Sequence, residues 1–223
     1  MNSTKAEILT KWYLRLNGYF TVDNFIIHNP VRISNGVVSN STETDVLAIR
    51  LKHSREIAGQ LHIANDDELL NGFDSAIDFV IAEVKTGNED KPNKVWRNNN
   101  EDAIKYIIRF AGIIESEDEI TFVTKRLLAD RTYKKDDKSL RIRLIIFSET
   151  EPNKNWKNVK HISLEHIVDF ILQVRGQCWI ENEIGVASVH YQWDSLINEI
   201  FAVANRQEHE IGVKKKEIMS LLE

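Results

Sequence analysis

Three charged side chains sit where strand-like sequence makes charge costly. Residues 76–87 read AIDFVIAEVKTG, an apolar run that ends in Glu83 and Lys85, two positions apart. A pleated strand has a side-chain period of two, so Glu83 and Lys85 project from one face, in the row that also carries Phe79 and Ile81. Upstream, residues 44–51 (TDVLAIRL) read as another strand and open with an acid, Asp45. A buried, unpaired carboxylate is strongly destabilising, so Glu83 calls for a cation, and a metal ion together with Lys85 meets that need. Asp and Glu oxygens suit a hard ion such as Mg²⁺. In phosphodiester hydrolysis such an ion polarises phosphorus, activates water and relieves charge on the leaving oxygen. A lysine beside the attacking water orients it or stabilises charge developing on the phosphoryl oxygens. The acid-x-Lys triplet alone carries little weight, because it recurs at residues 89–91 and 136–138 in polar stretches. Placement inside a strand singles out Glu83-Val84-Lys85, and the alternative there is a plain ion pair at the edge of a sheet.

The elements that would hold these residues follow from periodicity. Residues 5–17 (KAEILTKWYLRLN) carry Ile8, Leu9, Trp12, Tyr13 and Leu16 at helical spacing, with Ser3 or Thr4 as N-cap and Asn17-Gly18 as a stop. Residues 19–28 are rich in aromatic and β-branched side chains and predict a strand; residues 34–44 are polar and without periodicity. Residues 52–75 read as an insertion holding a short helix near 67–73, and Gly87 ends the strand that bears Glu83. A helix is expected over 99–111, 119–129 reads equally as helix or strand, a polar turn covers 134–138, and a strand covers 140–147. A short strand near 159–162 and helices over 164–174, 188–205 and 213–222 complete the chain. Strands joined by crossover helices make a layered α/β fold the physical expectation.

An Asp on one strand followed by Glu-x-Lys on the next resembles the metal-binding signature of the PD-(D/E)XK nuclease superfamily, the restriction-endonuclease-like phosphodiesterases. The resemblance implies an αβββαβ core, a mixed central sheet flanked by helices, within about residues 1–150, with extra C-terminal helices at about 163–223 outside the common core. It also implies that Asp45, Glu83 and the Val84 carbonyl ligate Mg²⁺ or Mn²⁺, and that Lys85 is the catalytic lysine. Glu7 occupies the place where many relatives carry an acid on the first helix that approaches the metal; otherwise it is a favourable first-turn charge. Lys94, Arg97 and Lys105 lie where relatives touch phosphate or order the site. Two departures stand out. Thr44 replaces the proline of the pattern, and the long interval from Asp45 to Glu83 implies that residues 52–75 were inserted between strands.

A net charge of −5 over 223 residues argues against binding nucleic acid by bulk attraction. The distribution differs: residues 121–143 hold eight Lys or Arg against three Asp, and Lys134, Lys135 and Lys138 become candidate phosphate contacts, or else members of a solvated loop. One cysteine, Cys178, excludes an intrachain disulfide and a multi-thiolate zinc site. Apolar residues nowhere run long enough for a membrane span, so a soluble, cytoplasmic protein is expected. The histidines lack paired metal spacing, and glycine-rich phosphate loops and GxSxG are absent. The tryptophans are expected in the core, with Trp96, beside Arg97, the one suited to stacking on a base. Together these point to one domain over 1–223 acting as a metal-dependent endonuclease on DNA, in defence or repair, as a homodimer if it cuts both strands. The alternative is a catalytically silent module of the same fold that binds nucleic acid or a protein partner.

Overall fold

A computed structural model describes residues 1–32, 38–58, 60–87, 93–150, 158–181, 194–207 and 209–223. Helix α1 (Ser3–Leu16) buries Ala6, Leu9, Tyr13 and Leu16, and its cap is Asn2, whose side-chain oxygen accepts the Lys5 amide at 3.3 Å. The chain then reverses at Gly18, with φ of 82°; a Cβ there would stand 2.6 Å from the Ser54 backbone, so only glycine fits. Strands β1 (Tyr19–Arg32) and β2 (Val38–Leu51) pair antiparallel along a hairpin longer than the side-chain pattern suggests. The polar stretch expected over 34–44 is strand from Val38 on, because main-chain pairing with Pro30, Val31 and Arg32 needs no apolar side chain. Pro30 is tolerated because β1 is an edge strand, and the register shifts between Ile27 and Pro30.

The insertion holds a small hairpin, β3 (Ile57–Ala58) with β4 (Leu61–His62), and a short helix, α2 (Asp67–Leu70). Strand β5 (Ile77–Lys85) pairs antiparallel with β2 on one side and parallel with β7 (Leu140–Ser148) on the other. A parallel pairing needs a crossover, here supplied by α3 (Lys94–Arg97), α4 (Glu101–Ala111) and α5 (Glu117–Asp130). The ambiguous segment 119–129 is helical because Ile120, Val123, Thr124 and Leu127 recur at helical spacing and Ser116 caps the start. Strands β6 (Thr132–Lys134) and β8 (Lys160–Ser163) share the outer edge of β7, the first antiparallel near its start and the second parallel near its end. Among the described residues the result is a mixed six-stranded sheet, ordered β1-β2-β5-β7-β6 with β8 also on β7, flanked by helices.

Strand alternation divides the core in two. Val80, Ala82 and Val84 of β5 pack with Val46, Ala48, Ile145 and Phe147 against α1 and α6 (Leu164–Phe170). Phe79 and Ile81 pack with Leu47, Ile142 and Leu144 against α4 and α5. The helix expected over 164–174 changes character partway, into a π-helical stretch (Ile171–Gly176) and then α7 (Gln177–Glu181). Helices α8 (Ser195–Ala204) and α9 (Ile211–Leu221) place Ile197, Ile200, Phe201 and Ile218 in the same cluster as α1, so the C-terminal helices share the core. Residues 188–193 of the expected helix lie outside the described residues.

Candidate active site

The odd-numbered residues of β5 face α4 and α5, which puts Glu83 and Lys85 on that side. On β2, Leu47 faces the same way, and so does Asp45 two residues before it. The β2·β5 ladder ends at Val46 opposite Ala82, and just beyond it the Asp45 carboxylate substitutes for main-chain pairing: Oδ2 accepts the Val84 amide at 2.6 Å. In a strand the N–H and C=O of one residue point to the same edge, so the Val84 carbonyl is turned toward β2 as well.

Glu83 is fully buried. Its Oε2 is 3.1 Å from Lys85 Nζ and accepts the Asn93 amide at 2.9 Å, while Oε1 has no partner among the described residues. Asn93 is fixed in turn: its side-chain nitrogen donates to the Glu43 carbonyl at 2.8 Å and its side-chain oxygen accepts the Val95 amide at 3.0 Å, at the start of α3. Lys85 Nζ also lies 3.9 Å from Asp45 Oδ2. One ammonium thus serves two carboxylates.

The electrostatics follow from that imbalance. Burial pushes the Glu83 carboxyl above its ordinary range, with Asp45 adding to the rise and Lys85 only partly opposing it. Asp45 is raised by burial, with Glu43 adding, against the pull of Lys85 and the Val84 amide. Burial draws Lys85 down, but Glu83 and Asp45 outweigh it and hold the ammonium above its ordinary value. Glu7, on α1, is raised by burial and then by Asp45 and Glu43, so it stands within the field of the site although no hydrogen bond or ion pair joins it to these side chains. Acid exceeds base here.

That donor set suits a hard cation. Among the described residues no three His, Cys, Asp or Glu side chains converge closely enough to enclose an ion, so a cation would draw on Asp45, Glu83, the Val84 carbonyl and water. Mg²⁺ is commonly held by one or two carboxylates while it keeps several waters. The orphaned Glu83 oxygen and the carboxylates displaced upward by burial fit such an ion.

The basic candidates fare differently. Lys105 of α4 pairs with Glu101 at 3.7 Å. Lys94 and Arg97 form the ends of α3, but their side chains lie outside the described residues. Of the basic run 121–143, Arg141 and Arg143 are buried against Asp78, Lys134 and Lys138 pair with Asp74, and Lys135 pairs with Glu119. The Lys138 carbonyl accepts the Ala76 amide at the start of β5, the end opposite Lys85, and the nine residues of that strand rise about 26 Å. The local excess of positive charge is therefore mostly neutralised and remote from Glu83. Trp96 is no stacking platform: it is 1% exposed, with the Arg131 guanidinium 5.7 Å from its ring centre.

Two polar residues near the site escape any reading of the sequence. The parallel register sets Ser148 beside Lys85, and alternation turns it to the same face. Ser148 Oγ is 2.5 Å from His161 Nε2 of β8 and 2.6 Å from the Thr150 carbonyl. With the hydroxyl given to that carbonyl, the imidazole N–H is the donor to Ser148. Nothing in their spacing marks Asn93 or Glu43 either; only the fold brings Asn93 to Glu83 and the Glu43 carbonyl to Asn93.

No family model, curated protein or solved structure matches this chain. Among the described residues no helix is long and apolar enough to cross a membrane.

Proposed function

We propose that this chain is a metal-dependent endonuclease of restriction-endonuclease-like, PD-(D/E)XK architecture that hydrolyses DNA, with Asp45, Glu83 and Lys85 as its centre. The observation that carries the reading is the buried Glu83 oxygen without a partner among the described residues, in a site where two carboxylates face one ammonium. The element order supports it: a helix, an antiparallel three-strand run, crossover helices and a parallel strand. Asp45, Glu83 and the Val84 carbonyl would hold Mg²⁺ or Mn²⁺, which would supply Lewis acidity and lower the pKa of water when bound.

The side chains do the rest. Lys85 is held above its ordinary pKa, so it stays charged at neutral pH and acts as a donor to water or to phosphoryl oxygen rather than as a base. The Val84 and Asn93 amides fix Asp45 and Glu83, which limits reorganisation during the reaction. Glu7 adds negative potential that favours a cation. A homodimer would bring two such centres to the two strands of a duplex, in a defence or repair setting.

The test is a cleavage panel of single-stranded, duplex, flap and junction DNA, with RNA counterparts, under Mg²⁺, Mn²⁺ or EDTA. Metal-dependent cleavage abolished by Asp45→Ala and by Glu83→Ala is the expected result. If no substrate is cut and neither ion raises the melting temperature, the nuclease reading fails and the catalytically silent binding module replaces it.

A further inference from the structure

A second polar site lies on the other face of the sheet, at the outer edge of β7 in the gap between β6 and β8. A cavity of about 240 Å³ opens there, lined by Arg131, Arg141, Arg143 and Lys160, with Glu68 as the one carboxylate among its described lining residues. Such a volume falls below the roughly 300–1,000 Å³ of whole-ligand pockets and suits a small ion or the terminal group of a larger molecule.

The charge behind the cavity does not balance. Asp78 is fully buried and takes both guanidiniums: Oδ1 accepts Arg141 Nε at 2.9 Å and Arg143 Nε at 3.2 Å, and Oδ2 accepts Arg141 Nη2 at 2.8 Å and Arg143 Nη2 at 2.7 Å. One carboxylate therefore answers two buried cations. A third guanidinium, Arg50, lies 5.0 Å from the ring of Phe73, which has Arg141 at 4.8 Å. Among the described residues Arg50 donates only to the carbonyls of Asn17, Lys52 and Ser54, which bring no compensating charge. Arg50, Arg141 and Arg143 against Asp78 thus leave an excess of two positive charges, and Lys160, answered by Glu68, does not change it.

The donors are also unfinished. Arg143 is buried, its Nε and Nη2 are committed to Asp78 and Tyr19, and its Nη1 makes no hydrogen bond among the described residues. Lys160, at the mouth, is held by Glu68 alone among the described residues. The Arg143 Nη1 hydrogens remain as charge-assisted donors that a phosphate oxygen can accept. Buried cations in excess of their partners are costly unless an anion completes the set. An excess of two charges matches a phosphate monoester, which carries about −1.5 to −2 at neutral pH.

We propose that this pocket binds a phosphate dianion, either free or as the terminal group of a nucleotide or DNA strand, with Arg143 and Lys160 as its principal donors. It is separate from the Asp45–Glu83–Lys85 centre and does not depend on nuclease activity.

The experiment titrates inorganic phosphate into the full chain by calorimetry and thermal shift, in EDTA and at ionic strength held constant with chloride. Saturable binding is expected, weakened about tenfold in Lys160→Met, the scale of one charge-assisted contact, and tightened a few-fold in Glu68→Gln. Both positions are surface-accessible, so neither variant disturbs the Asp78 network. Oligonucleotides of one sequence with and without a 5′-phosphate identify the source: competition by the phosphorylated form alone assigns a strand end, and competition by neither assigns a free phosphate. Absence of saturable phosphate binding, or equal affinity in all three proteins, would overturn the proposal.

Discussion

Glu83→Gln removes one charge and almost no volume, and it separates a metal centre from a structural ion pair. The upward displacement of the Glu83 pKa means that the ionised form is disfavoured by the fold relative to the neutral one. A neutral isostere escapes that penalty and can still accept from Lys85 and from the Asn93 amide. Near neutral pH the metal-free variant should therefore melt at or above the wild-type temperature. The sign with pH follows: a carboxyl raised from its ordinary 4.5 contributes stability that is fully present below that value and lost as pH rises through the raised one. Acidification from neutrality should stabilise the metal-free wild type more than the variant. With Mg²⁺ at a hundredfold excess over its dissociation constant, wild type should gain about 2.7 kcal/mol, or about 5–11 °C for a domain of this size. The variant should gain almost nothing. Differential scanning calorimetry with MgCl₂ and with EDTA measures all four states. The reasoning fails if Mg²⁺ raises both proteins equally. It fails also if the metal-free variant loses about 3–5 kcal/mol, the cost of breaking a buried ion pair that the fold relies on.

Lys85→Ala should keep the metal-dependent rise in melting temperature while single-turnover cleavage falls at least about a hundredfold, the scale of one positioned electrostatic group. Asp78→Asn should cost about 3–5 kcal/mol in chemical denaturation, because it leaves Arg141 and Arg143 buried without their anion. Burial pushes Asp78 up but the two arginines hold it below its ordinary 3.8, so its stability is present above that pH and lost as pH falls through the depressed value; the variant should lack that acid limb. Charge reversal at Lys134, Lys135 and Lys138 should leave the salt dependence of DNA binding unchanged, since these side chains are engaged with Asp74 and Glu119 at the far end of β5; three lost phosphate contacts would instead lower the log–log slope by about 2.7. Glu7→Gln should weaken Mg²⁺ affinity, read by calorimetry, with little change in metal-free stability, whereas a mere first-turn charge would cost a few tenths to about 1 kcal/mol of stability and leave the metal untouched.

Local pattern carried most of the elements. Period-two alternation in residues 77–85 and helical spacing in α1 and α4 act through near neighbours, so those elements were legible. Residues 38–44 were not, because a hairpin extension is held by main-chain bonds that leave no trace in side-chain polarity. The partners of the basic run 121–143 were not legible for a related reason. A count of charges along the chain cannot see that Lys134 and Lys138 share Asp74, that Arg141 and Arg143 share Asp78 and that Lys135 pairs with Glu119 in space.

By itself the sequence determined that Glu83 and Lys85 share a face, because a pleat with period two admits no other arrangement, and that Asp45 belongs to another strand, whose start at Val38 it did not mark. Only the tertiary structure decided that Asp45 meets Glu83, through an antiparallel register ending at Val46 and Ala82. It alone brought Asn93 to the Glu83 carboxylate with the Glu43 carbonyl anchoring it, stood Ser148 beside Lys85, and left two arginines with one aspartate. Charge in a folded protein is balanced through space, over a few ångströms and across strands far apart in sequence, and that geometry exists only once the sheet is assembled.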